Sequence, residues 1–187
     1  MIKNFLKYTT RILSITKSYD PIIVYKKRVD YKIIKRDRNT QYTFIGMNTN
    51  ISSNDISKTI LNISSWKYYI KGIESSSLTK HHDDKIYGNI KLLKPKFSAD
   101  VILSNYTIDD ANLNCIKLEL DKTSTNIILK DLFATCCVEE VIDKKSYVNI
   151  TTTAVINRLI PYYLIDYLTN KGLEYVTDWL KYNILCN

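Results

Sequence analysis

Glycine is scarce in this chain. The four glycines stand at positions 46, 72, 88 and 172 of 187 residues, too dispersed to build a loop that cradles phosphate. Proline is scarcer still at three residues, and together the two shortages exclude collagen-like and low-complexity structure. Histidine occurs twice, at the adjacent positions His81 and His82. None of the four cysteines (Cys115, Cys136, Cys137 and Cys186) has metal-ligand spacing, so nothing distant could complete a site with those histidines. The chain therefore implies no metal and no cofactor, and the stretch from Lys80 to Asp84 reads as a solvated hairpin turn. No apolar run approaches the roughly 18 residues of a membrane-spanning helix. Lys7 and Arg11 interrupt any signal-peptide core. The cysteines read as free, mostly buried thiols of a protein in a reducing, cytoplasmic setting, able to lie peripherally on membranes. Catalytic chemistry is thinly provided for. Glu139 and Glu140 are neighbours on a strand and face apart, and Cys136 has no histidine near it in sequence. No catalytic residue is assigned.

What is present begins with charge. The formal net charge is +8, and all of it lies in the first fifth of the chain. Eleven Lys and Arg up to Arg38 face only Asp20, Asp30 and Asp37, while the remainder carries 16 of each sign. That is a basic patch, not a basic protein. Residues 2–16 carry Ile2, Phe5, Leu6, Ile12 and Leu13 on one side of a helix and Lys3, Lys7 and Arg11 on the other. Such a helix either packs on the fold or lies on an anionic membrane. Lys26, Lys27 and Arg28 extend the basic set. They read as a solvated face, as a surface that docks on a membrane or partner, or, less in keeping with the rest, as a nucleic-acid contact.

The pattern then predicts strands over 22–29, 31–36 and 41–51, with Gly46 as a bulge, and a short helix near 53–64 capped by the Ser52–Asp55 cluster. Five or six further strands follow up to Ile156, the run 127–142 with a bend. In 147–156, Val148, Ile150, Thr152, Ala154 and Ile156 alternate with polar residues, as in a half-buried strand. Beyond Pro161, Leu164, Leu168, Val176, Trp179 and Leu180 recur at helical spacing, opposite Asp166, Asn170, Glu174 and Lys181. The expected organisation is one α+β domain over 1–187. A helix occupies 1–20, a curved antiparallel sheet 21–156, and a long helix packed across it 157–186.

At these residues the chain resembles the START-like lipid-transfer superfamily, the helix-grip fold shared with polyketide cyclases and birch-allergen-like proteins. The likeness is carried by Ile150-Thr-Thr-Thr-Ala154, by Leu159-Ile-Pro-Tyr-Tyr-Leu-Ile-Asp-Tyr-Leu168, and by Lys171-Gly-Leu173. Ile51-Ser-Ser-Asn-Asp-Ile-Ser-Lys58 leading to Trp66 is similar to the family's short helix before its third strand. At Ser98-Ala-Asp100 the family often shows Arg-Asp, and Ala99 departs from it. The resemblance implies a cavity between sheet and long helix that holds a lipid, a sterol or phospholipid, or another hydrophobic small molecule, for carriage or sensing. Two alternatives accompany it: a cyclase or aromatase with polar acid–base groups in the cavity, and an interaction protein with the cavity filled. The implied cavity residues are Trp66, Tyr162, Ile165, Leu168, Gly172, Val176 and Trp179, with Gly172 making room. Tyr87, Asp100 and Tyr106 are the polar groups expected to orient a ligand's head.

Overall fold

The computed structural model describes residues 30–92, 96–108, 113–124, 126–142 and 145–182. The helix expected over 2–16, the strand expected over 22–29, and Lys3, Lys7, Arg11, Lys26, Lys27 and Arg28 lie outside the described residues, as does Cys186.

Among the described residues, eight strands form one antiparallel sheet. They are β1 (Tyr31–Asp37), β2 (Thr40–Thr49), β3 (Ile73–His82), β4 (Lys85–Leu92), β5 (Phe97–Ile108), β6 (Leu113–Leu120), β7 (Leu129–Ile142) and β8 (Lys145–Ile156). Their spatial order is β1-β2-β8-β7-β6-β5-β4-β3, so the last strand enters beside the second and places the final helix over the sheet. Two short helices, α1 (Ser53–Leu61) and α2 (Trp66–Tyr69), are joined by a 3-10 turn at Ile63–Ser65, and α3 (Tyr162–Tyr182) closes the fold. This is the α+β architecture implied above, a curved sheet with a short helix pair and a long carboxyl-terminal helix. No helix among the described residues is long and apolar enough to cross a membrane.

Local chemistry explains the helix ends. The Ser52 hydroxyl oxygen accepts from the Asp55 amide at 3.1 Å and donates to the Asp55 carboxylate at 2.7 Å, so α1 starts on a reciprocal cap with an acid in its first turn. Helix α3 starts at Tyr162, directly after Pro161, whose carbonyl accepts from Leu164 and Ile165. The β3–β4 hairpin turns on Asp83 and Asp84, both at positive φ, which short polar side chains tolerate. His81 and His82 therefore end a strand and do not sit in the turn.

Two apolar clusters cover the same face of the sheet. In one, Leu173, Trp179 and Leu180 of α3 meet Ile45, Met47, Val148 and Cys136, with Ile51 and Ile56 alongside. In the other, Ile63 and Trp66 meet Ala99, Val101, Leu103, Ile116 and Leu120. Ile60 touches both. Helix α3 is pinned at each end. Arg36 on β1 pairs with Asp166 and stacks on the Tyr162 ring at 4.9 Å. At the other end the buried Thr49 hydroxyl donates to the Leu180 carbonyl at 2.6 Å.

Several expectations are corrected. Cys115 and Cys137 are not free thiols: they are disulfide-bonded, because antiparallel β6 and β7 set them directly opposite each other. This removes the thiol-based ground for a reducing compartment; among the described cysteines Cys136 alone is free. Gly46 is not a bulge. The register runs through it unbroken on both sides, and its missing side chain makes room for the Tyr31 ring and the Tyr147 hydroxyl. Strand β8 is not half-buried throughout. Ser146–Asn149 are buried on both faces, the outer one where Tyr31 donates to Asn149 at 3.2 Å. Gly172 makes no room for anything beneath α3, since it faces outward and a Cβ there would meet nothing within 4 Å.

Two substitutions on the helix clamp should move stability in opposite directions. Gly172→Ala should stabilise by about 0.5–1 kcal/mol through helix propensity alone. Thr49→Val should destabilise by about 1–3 kcal/mol, because it removes the buried hydroxyl that donates to the Leu180 carbonyl and accepts from the Ile51 amide. Urea midpoints of the two variants check both signs.

Candidate functional site

Where the two clusters meet they do not close, and a hollow of about 170 Å³ remains. Its floor is the sheet. Leu103 of β5, Ile116 and Leu118 of β6, Ala134, Thr135 and Cys136 of β7, and Ile150 of β8 line it. These positions follow from register. Ile116 pairs with Cys136 and Cys136 with Ile150, so one transverse row of side chains runs under the helices. The roof comes from Thr59 and Ile60 of α1, Trp66 and Tyr69 of α2, the adjoining Ile70, and Val176 and Trp179 of α3.

The wall is apolar, and its few polar atoms are mostly committed elsewhere. The Trp66 indole N–H donates to the carbonyls of Thr59 at 3.2 Å and Ile60 at 3.0 Å, which ties α2 to the last turn of α1. The Thr59 hydroxyl donates to the Asp55 carbonyl at 2.8 Å. Thr135 Oγ1 and Thr151 Oγ1 share a hydrogen bond at 2.7 Å. The exception is Trp179: 4% exposed, it has an indole nitrogen that is buried and finds no acceptor. An unpaired buried donor of this kind costs about 1–3 kcal/mol. Among the described residues, no Asp, Glu, Lys, Arg or His lines the hollow. Burial pushes the Cys136 thiol up to about 12, so at neutral pH it is a neutral, unreactive part of the wall.

The structure brings three of the ten expected cavity residues to this hollow, Trp66, Val176 and Trp179. Ile165 is buried and Leu168 half-buried, but neither lines it. Tyr162 stands at the exposed start of α3 under Arg36, and Gly172 faces outward. Tyr87 and Asp100 lie on the other face of the sheet. Asp100 neighbours the inward Val101 and accepts from Asn89 at 2.7 Å, while Tyr87 neighbours the inward Gly88 and lies under the Lys80 ammonium. Backbone pairing sets Tyr106 opposite Cys115, and nothing more is described of it. Among the lining residues missed in sequence, Leu103, Ile116, Leu118, Ala134 and Cys136 alternate along β5–β7. Extending the inward parity of Ile150 across the pairing would have found them.

Neither a family model nor a curated protein sequence matches the chain. Solved structures do. A STAR-related lipid transfer protein fragment from Xanthomonas axonopodis superposes with a TM-score of 0.60 at 8% identity, covering 80% of this chain and 96% of that one. A START superfamily protein from Mycobacterium smegmatis gives 0.58 at 10% identity, covering 74% and 93%. The Zhui aromatase/cyclase from a Streptomyces species gives 0.60 at 5% identity, covering 75% and 91%. The chain therefore has a START-like helix-grip fold, one whose solved examples include a lipid transfer protein and an aromatase/cyclase.

The buried acids make alkaline stability a readout of this interior. Burial raises the Cys136 thiol and, on the opposite face, the hydroxyls of Tyr31 and Tyr147. Each group holds its proton more tightly folded than unfolded, so the unfolded chain deprotonates first as pH rises. Stability should be level up to the ordinary thiol value of 9.0 and then fall. Cys136→Ala should remove the part of the decline that begins there, leaving the tyrosine part that begins near 10.0. Urea unfolding from pH 7 to about 10.5 measures both slopes.

Proposed function

We propose that this protein binds a hydrophobic small molecule, of the lipid class, in the hollow between the sheet and the helices α2 and α3, for carriage or sensing. One observation carries the reading: a partly open hollow whose described lining is apolar and includes no carboxylate, ammonium, guanidinium or imidazole. An apolar occupant is stabilised there by burial, at about 25 cal/mol per Å² of apolar surface removed from water.

The volume bounds the occupant. Sites for drug-sized molecules enclose roughly 300–1,000 Å³, whereas a void near 150 Å³ takes benzene. The hollow, at about 170 Å³, therefore admits a small ring or a short stretch of acyl chain as it stands. A whole sterol or phospholipid requires α2 and α3 to part. The basic N-terminal residues Lys3, Lys7, Arg11, Lys26, Lys27 and Arg28 belong to this proposal as the surface that meets an anionic membrane, each contributing about 1 kcal/mol near the headgroups.

A cyclase requires acid and base groups converging on the substrate. The wall offers Cys136, whose thiol is held neutral, and the half-buried Tyr69, so it supports binding over turnover. Organic extraction of the purified protein followed by mass spectrometry, and titration of the stripped protein with fatty acyl and small cyclic hydrocarbons, test the reading. Ala134→Phe, which puts a ring into the hollow from the floor, should weaken binding by about tenfold or more while the chain still folds. Recovery of no amphiphile by extraction, together with no binding by the stripped protein, would remove the proposal in favour of an interaction protein with an inert interior.

A further inference from the structure

The outer face of the sheet, turned away from the helices, is closed to solvent in its middle. Backbone pairing lines up Tyr31, Gly46, Asn149, Cys137 and Cys115 in one transverse row across β1, β2, β8, β7 and β6 on that face. Asn149 is 6% exposed, Cys137 2% and Cys115 3%, and Tyr147 beside the row is buried as well. Helices α1, α2 and α3 all pack on the opposite face. The Tyr31 ring, folded over Gly46, donates to Asn149 and so reaches β8, one strand short of Cys137. Side chains standing upright on a sheet screen their neighbours from the side and not from above, so the centre of this face has a cover of its own.

We infer that the cover is the amino-terminal segment 2–16 of the same chain, docked along this row with Ile2, Phe5, Leu6, Ile12 and Leu13 against the sheet. Outside the described residues only 1–29 runs longer than five residues, and it carries that apolar side. The point of connection agrees. Asp30 accepts from the Asn48 amide at 2.8 Å, which fixes the chain at the β1 end of the row, and Tyr31 is the row's first member. The length agrees too. Four strand spacings make about 19 Å, and a helix over 2–16 spans about 22 Å. Residues 17–30 reach roughly 46 Å when extended, so the segment can enter from either end. Lys3, Lys7 and Arg11, on the other side of the helix, then turn to solvent. A membrane would meet this segment as fixed charge and not as inserted apolar side chains. The docking is independent of what the hollow binds.

Contacts in the unsubstituted full chain decide the assignment. Methyl NOEs from Leu6, Ile12 and Leu13 to the Tyr147 ring and the Cys137 β-protons are expected, and their absence overturns it. A chemical readout is the access of a phosphine reductant to the Cys115–Cys137 disulfide, which the row places under the segment. Phe5→Asp with Leu13→Asp should speed reduction about tenfold or more. Asn4→Asp with Ser14→Asp adds the same charge on the opposite side of the helix and should leave the rate unchanged. Equal rates in the two double variants would remove the disulfide, and with it the row, from under the segment. A rate that slows as protein concentration rises would give the cover to a second copy and sink the docking of the chain's own segment. The NOE measurement stands even if the apolar-side variant fails to fold.

Discussion

The structure depends on a seam. One curved sheet carries two helical elements side by side on the same face: the short pair, with α1 over β6 and β7 and Trp66 of α2 over β5 and β6, and the long α3 over β2, β8 and β7. Each buries its own apolar stripe well, as the near-zero exposure of Ile56, Leu103, Val148 and Leu180 shows. Rounded helix surfaces laid side by side on a third surface touch it along lines and leave a channel between them. Closing that channel takes large side chains from the floor. The floor here instead carries Ala134 and Cys136 at its centre, and the two tryptophans that border it are held apart by other duties.

Those duties explain why the seam does not collapse. Trp66 is locked by its bonds to the end of α1, so α2 cannot roll toward α3 without breaking them. Helix α3 is fixed at one end by Arg36, which grips both Tyr162 and Asp166, and at the other by Thr49 and the burial of Leu180. The Arg36 grip is the more exposed and so the better screened by solvent. The Thr49 grip is buried and packed.

Most of the frame was legible in the sequence because it rests on local periodicity. The alternation from Val148 to Ile156 identified an inward face that the pairing respects, and Pro161 marked the start of α3. The Ser52–Asp55 cap and the Trp66 position followed from equally local signals. What failed was non-local. Cys115 and Cys137 are 22 residues apart, and only the β6–β7 register makes them partners. Tyr87 and Asp100 were placed inside without knowing which parity of β4 and β5 faces the helices, and a strand's parity cannot be read where its alternation is weak. Gly172 misled because helical spacing from Leu168 and Val176 places it near the apolar stripe, while Leu173 is the residue that turns in.

The same parity keeps the ionisable side chains of β5 and β6 off the face that carries the hollow. The polar groups that acid–base chemistry would draw on, Asp100 on β5 and Lys117 and Glu119 on β6, alternate with Val101, Leu103, Ile116, Leu118 and Leu120. With the apolar set turned toward the helices, the ionisable set faces away, where Asp100 bonds Asn89 and Lys117 pairs with Glu119 at 3.0 Å. A displacement of β5 and β6 by one residue would invert this and line the hollow with charge. A fold shared by a lipid-transfer protein and an aromatase/cyclase leaves function to the site. At the site of this chain, the alternation of β5 and β6 turns the apolar side chains toward the helices and the ionisable ones away.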